Sequence, residues 1–384
     1  MHTRFFAILL GVLALLLTRS ASAEELVDLY TVGPGSDTFS HFGHAALCVT
    51  DATRPNGICF DFGIADTNDA TDLVWGTLRG RSRFIPISVD LPILVAAFKA
   101  QERNIWKQRL PLAPREADAL AASLDRAAVG KTPYSYEPAY ANCTTKLRDL
   151  LDEATGGKLR EVPQPDPSTP NFRELLEEGF TGRVLELAGV ALFVGWRGET
   201  RPTGYEMMFQ PLRLRDSVER RFGVKPEVVH APGGFVLKTS TVAGRAFIVL
   251  VGLALGGLVF ATSRSVGKKA RIALALIGVL LGLLALLVEV MAVACVYPWV
   301  ARNLVLLVLL PTDLALGALR GPRLARYLAV RLALLVATLA LSFVLGQPLI
   351  AVTFLAAFPL GMALFVMRPK AVAAQVGIVP FGTP

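Results

Sequence analysis

The chain has 384 residues, 53% of them hydrophobic, and a formal net charge of +8. The charge is uneven: from Thr241 onward twelve Lys and Arg face two acids, whereas the first 240 residues sum to −2. Because the basic residues cluster in short loops between apolar runs, they read as the positive-inside pattern of a membrane protein and argue against a nucleic-acid partner.

The chain opens Met1-His2-Thr3-Arg4, runs through an apolar core from Phe5 to Leu17 and reaches Ala21-Ser22-Ala23 before Glu24. A basic start, a core of about a dozen residues and an Ala-x-Ala end predict a secretory signal peptide over 1–23, so the domain that follows is exported. An oxidising compartment permits a disulfide. Cys48 and Cys59 flank the turn from Asp51 to Gly57, and in a hairpin symmetric about that turn they face each other and can pair, with the register deciding it. Cys143 then lacks a partner in the exported domain, which suits a reactive thiol.

Leu26–Val32, His44–Thr50, Ile58–Gly63 and Phe84–Val89 have strand patterns, and Arg115–Val129, Cys143–Ala154 and Asn171–Glu178 have helical spacing. The mixture predicts an α+β domain over 24–240, interrupted by the Pro-rich linker Val162 to Pro167. Val184 to Trp196 is apolar but too short to span, and reads as core rather than an interfacial patch. Five spans follow, near 246–263, 272–296, 302–319, 328–346 and 348–366, in a transmembrane module over 241–370. With the exported domain outside, Arg264, Lys268, Lys269 and Arg271, then Arg320, Arg323 and Arg326, then Arg368 and Lys370 all fall inside. This predicts a multi-pass inner-membrane protein with a cytoplasmic tail at 371–384. Glu289 and Asp313 lie within the expected spans, where ionisable groups are costly. Glu289 is open between a functional group and a structural one, and Asp313 is expected to be a buried partner of Arg302 or to meet water near the surface.

The chemistry concentrates at two places. Apolar positions Leu147, Leu150, Leu151 and Ala154 put Cys143 in the first turn of a helix with Asn142 as its N-cap. A thiol there meets free amide N–H groups and the positive end of the helix dipole, which favour the thiolate and supply oxyanion donors. Upstream, Ser40-His41-Phe42-Gly43-His44-Ala45-Ala46-Leu47 leads into a strand. His44, held inside the strand, is the expected base for Cys143, and His41, in the loop before Gly43, is expected on the rim. On the symmetric hairpin Asp61 lies opposite Ala46 and shares the face of His44, where it either orients the imidazole or serves as a cap or salt-bridge partner.

Taken together, Phe42-Gly43-His44-x-x-Leu47, Phe60-Asp61-Phe62-Gly63, Gly80, Tyr134-x-Tyr136, Asn142-Cys143-Thr144-Thr145-x-x-x-Asp149, Asn171-Phe172-Arg173 and Glu206-Met207-Met208-Phe209-x-Pro211 resemble the DUF4105 family, the periplasmic domain of Lnb-type lipoprotein N-acyltransferases. The resemblance spans about 25 to 215. It implies a permuted papain-like, NlpC/P60-like fold in which histidine precedes cysteine, with His44 and Cys143 at the family positions. It further implies a transacylase that moves an acyl chain from a membrane phospholipid, through a Cys143 thioester, to the α-amine of a diacylated apolipoprotein. Such a reaction needs no metal and no cofactor. Asn142, Tyr136, His41 and Arg173 are then the substrate-binding candidates. The alternative is a periplasmic cysteine peptidase or amidase acting on cell-wall peptide, which uses the same pair with water as acceptor.

Overall fold

The computed structural model describes residues 25–37, 40–160, 169–233, 240–263 and 268–367. The expected signal peptide and the expected tail at 371–384 lie outside these. The described residues form two compact units, one of 25–73, 82–160 and 203–233, the other of 74–81, 169–202 and the residues from 240 on.

The first unit is built on a seven-stranded antiparallel sheet. Its strands are β1 (Leu26–Val32), β2 (His44–Thr50), β3 (Ile58–Ala65), β4 (Arg83–Asp90), β5 (Ile105–Arg109), β6 (Tyr134–Ser135) and β7 (Glu227–His230). They run in the order β6-β4-β3-β2-β1-β5-β7. β1 to β4 follow the strand patterns of the sequence closely, whereas β5, β6 and β7 are short segments with no expected strand. Side chains alternate across the pleat. Leu29, Leu47 and Phe60 face a core completed by Leu120 and Leu124 of the helix Pro114–Gly130 and by Leu147 and Leu151 of the helix Cys143–Ala154. Each such side chain, fully buried, stabilises the fold by ~1.5–3 kcal/mol. On the opposite face Tyr30, Ala46, Cys48 and Cys59 pack against Leu94 of the helix Leu91–Ala100.

The β2–β3 register pairs Cys48 with Cys59, and a buried disulfide joins them. Hence the register of the hairpin, which places every later residue of β3 relative to β2, is locked covalently. The turn between them is closed by the Asp51 carboxylate, which accepts from the backbone N–H groups of Thr53 and Arg54.

In the second unit four stretches are long and apolar enough to cross a membrane: Ala243–Thr262, Lys269–Ala294, Pro298–Gly317 and Gly321–Leu345. Five spans were expected. Ile350–Val366, the fifth, is an apolar helix shorter than the others. The third stretch is no continuous rod: it breaks into the short helices Pro298–Ala301 and Val305–Val308 and a 3₁₀ segment Pro311–Gly317. Pro298 and Pro311 each lack an amide donor, which favours the breaks. Broken backbone at membrane depth needs partners from the protein. Here Asn303 donates to Leu192 O and accepts from Val305 N, and Gln347 accepts from Leu304 N.

Asp313 is fully buried, and its partner is Arg331, at 2.7 Å, with Tyr327 donating to the same carboxylate. The expected partner, Arg302, is replaced because the 3₁₀ turn aims Asp313 at the helix Gly321–Leu345. Val184–Phe193 is core: Ala188 and Ala191 belong to the same apolar cluster as the long helices.

Candidate active site

His44 is the first residue of β2, directly after Gly43. Gly43 has φ +91°, and a Cβ there would stand 2.6 Å from the carbonyl oxygen of Val32, the β1 residue that pairs with His44. Glycine is therefore what lets the chain turn into the strand and deliver the imidazole. In β3 the pairing with β4 shifts between Asp61 and Ile64, a bulge. It turns the Gly63 N–H onto Asp61 Oδ1, at 2.6 Å. A Cβ on Gly63 would lie 2.8 Å from His44 Cε1 and 3.2 Å from Asp61 Oδ1, so the absence of a side chain there makes room for the imidazole.

Asp61 Oδ2 lies 3.1 Å from His44 Nε2. The contact is an ion pair whose angle departs from a hydrogen bond's. Burial alone would push His44 toward neutrality, but the charge of the Asp61 carboxylate and that of the Cys143 sulfur raise its pKa to about 10. For Asp61 burial works upward, yet His44 and the Gly63 amide hold the carboxyl below its ordinary value. His44 is thus held as an imidazolium between a carboxylate and the sulfur.

Cys143 is half-buried at the start of its helix. Asn142 caps that helix: its side chain accepts from Thr145 N at 2.9 Å, and Thr145 Oγ1 accepts from Asn142 N at 2.8 Å. The N–H groups of Cys143 and Thr144 remain as the first-turn donors nearest the sulfur, where an oxyanion would form. A thiol, an imidazolium and a carboxylate in this arrangement are the groups that attack by sulfur on a carbonyl calls for.

The expected substrate-binding residues fare differently. Asn142 is buried, and its Nδ2 donates to Pro138 O and Phe209 O, so its amide holds the helix start in place. His41, expected on the rim, is 2% exposed and its Nδ1 contacts Gly35 O at 3.1 Å. It braces the loop before β2, because a loop that must deliver His44 needs its own buried polar contacts. Tyr136, just after the edge strand β6, stacks on Phe84 of β4, with ring centroids 4.5 Å apart. Arg173 belongs to the second unit, where its guanidinium pairs with Glu199 and donates to the carbonyls of Val190, Val194 and Gly195.

Four neighbours of the pair had no assigned role in the sequence. Gly63 makes room for the imidazole. Phe98 packs its ring 5.5 Å from that of His44 and carries the Arg103 guanidinium over it at 4.9 Å. Arg103 is buried and donates from Nε to Gly33 O; burial lowers its pKa to about 10, against the opposing pull of Asp37 and Cys143. Tyr134 donates to Phe62 O, beside the bulge, and holds the Lys146 ammonium over its ring at 4.9 Å. Glycine inside a strand pattern was a legible sign of a bulge. Phe98 and Arg103, distant from His44 in the chain, gave no such sign. Among the described residues no group of His, Cys, Asp and Glu could hold a metal ion.

Residues 15–177 match the family model of the Lnb N-terminal periplasmic domain, a stretch that takes in His44, Asp61 and Cys143. No curated protein and no solved structure matches the chain. A periplasmic domain followed by several apolar helices is the arrangement of a membrane protein with a periplasmic part.

Proposed function

We propose that the chain is an apolipoprotein N-acyltransferase of the inner membrane, working by a Cys143 thioester. The observation that carries this reading is His44 held between Asp61 and Cys143 inside a domain of the Lnb type, on a chain that also carries apolar spans.

The periplasm lacks ATP, so an amide-forming enzyme there must take an acyl group that is already activated, and phospholipid esters are at hand in the adjoining leaflet. The Cys143 thiolate attacks the ester carbonyl. The first-turn N–H groups receive the developing oxyanion, the ester C–O bond breaks, and the His44 imidazolium gives its proton to the departing lysophospholipid oxygen. The acyl group is now a thioester on Cys143. The α-amine of a diacylglyceryl-cysteine attacks that thioester, the C–S bond breaks, and neutral His44 takes the amine proton, restoring thiolate and imidazolium. Asp61 keeps the imidazole oriented through both halves. Because a thioester is open to water as well as to amines, the second half requires a dry site, which a chain embedded at the bilayer surface favours.

The test is mass spectrometry of lipoprotein N-termini from cells that depend on this protein. Triacylated N-termini should be present with the wild-type chain and replaced by diacylated ones with Cys143→Ala. Triacylation that persists with Cys143→Ala contradicts the reading.

A further inference from the structure

The helix Ala70–Arg79 has no buried residue. Val74, Trp75 and Leu78 are 51%, 56% and 44% exposed and, at helical spacing, share one face. A ten-residue helix is too short to hold by its own hydrogen bonds in water, so this one depends on what its apolar face meets.

Where that face lies is fixed by its C-terminal end. Residues 74–81 fold with the second unit. Arg79 O accepts the Val296 N–H at 3.1 Å. Gly80, with φ +67°, packs against the Tyr297 ring so closely that a Cβ would come within 2.9 Å of it. Val296 and Tyr297 lie two and three residues beyond the 26-residue apolar stretch Lys269–Ala294, so the helix is pinned to the end of a span. That is the depth of the lipid headgroups, where tryptophan and tyrosine concentrate. Arg79, whose guanidinium lies 5.8 Å from the Trp75 ring, and Arg81 supply cations for the phosphates of that layer.

We propose that Val74, Trp75 and Leu78 are seated in the bilayer, making this helix an interfacial anchor that lies along the membrane at the end of the span. The occupant of the exposed face is lipid rather than a protein partner, because the face sits where a span emerges and combines tryptophan, aliphatic side chains and arginine. Residues 66–69 alone join β3 to this helix, so the anchor is a close covalent neighbour of the strand that carries Asp61. The inference stands independently of the acyl-transfer reading.

The experiment uses the full chain in phosphatidylcholine vesicles, with and without bromine on the acyl chains, and follows tryptophan emission of the wild type and of Trp75→Phe. The chain has four tryptophans, so the contribution of Trp75 is the difference between the two proteins. Brominated lipid should quench the wild type by a larger fraction than Trp75→Phe, and aqueous iodide should leave the Trp75 difference untouched. Equal fractional quenching by brominated lipid in the two proteins, or loss of the Trp75 difference to iodide, overturns the proposal and leaves the face to water or to a protein. Since Trp75 makes no buried contact, its replacement should leave the fold intact.

Discussion

His44 Nε2 stands 3.1 Å from Asp61 Oδ2, on neighbouring strands whose register the Cys48–Cys59 disulfide fixes. The acid acts on the base through this contact. Burial disfavours the imidazolium, and Asp61 is the first of the groups that reverse that effect and bring the pKa to about 10. In Asp61→Asn the burial stays and the carboxylate goes. The alkaline limb of kcat/KM, which reports loss of the imidazolium, should therefore move down by roughly 1–3 pH units. An unmoved limb would mean that Asp61 does not set the charge of His44.

The same shift has a consequence for stability. A histidine whose pKa rises on folding, here from 6.5 to about 10, contributes stability that is complete below pH 6.5 and is lost as pH climbs through about 10. Thermal melts of the wild type and His44→Gln should converge across that window, and parallel curves would deny the linkage.

Gly63→Ala tests the room for the imidazole. The new Cβ would meet His44 Cε1 at 2.8 Å, and the ring must shift. A displacement of this kind is expected to lower activity on the order of 10²-fold while the protein stays folded, as judged by circular dichroism and by the intact disulfide. Activity near the wild-type level would show that the ring has freedom the packing does not suggest.

His41 and His44 separate structure from chemistry. Cys143→Ala and His44→Ala should each abolish activity while the protein stays folded in the membrane. His41→Ala removes a buried contact to Gly35 O and should cost about 1–3 kcal/mol in stability, with a measurable part of the activity retained. Activity that survives His44→Ala and vanishes with His41→Ala would reverse the assignment.

In the second unit Asp313→Leu or Arg331→Met alone leaves a buried charge without its partner and should destabilise the protein by about 3–5 kcal/mol, read as melting in detergent. The double replacement should recover most of that loss. If it melts as low as the sum of the single changes, the two side chains are not coupled.

Local pattern carried much of the first unit. Short β-rich stretches marked β1 and β2 at their observed ends, and Asn142 marked the start of the Cys143 helix because capping is a local event. The face shared by His44 and Asp61 followed from parity on a symmetric hairpin, and the disulfide obeys the same symmetry. What escaped was set by contacts distant in sequence. Asp313 turns from Arg302 to Arg331 because a broken helix changes its direction. Arg173 sits in a helix whose pattern is plain, yet its carbonyl acceptors, Val190, Val194 and Gly195, come from the apolar segment that joins the second unit. His41 reads as a polar loop residue, and only the folded loop shows it buried.

The most direct test of the account is whether Cys143 carries an acyl group. Purified protein given labelled phospholipid and no acceptor should gain one acyl mass on Cys143, detected on the intact protein and removed by neutral hydroxylamine, which cleaves thioesters faster than oxygen esters. A diacylated lipopeptide with a free α-amine should then discharge it to a triacylated product, and its N-acetylated form should not. Label that never reaches the enzyme, or that leaves only as free fatty acid with the amine acceptor present, contradicts the acyl-transfer account.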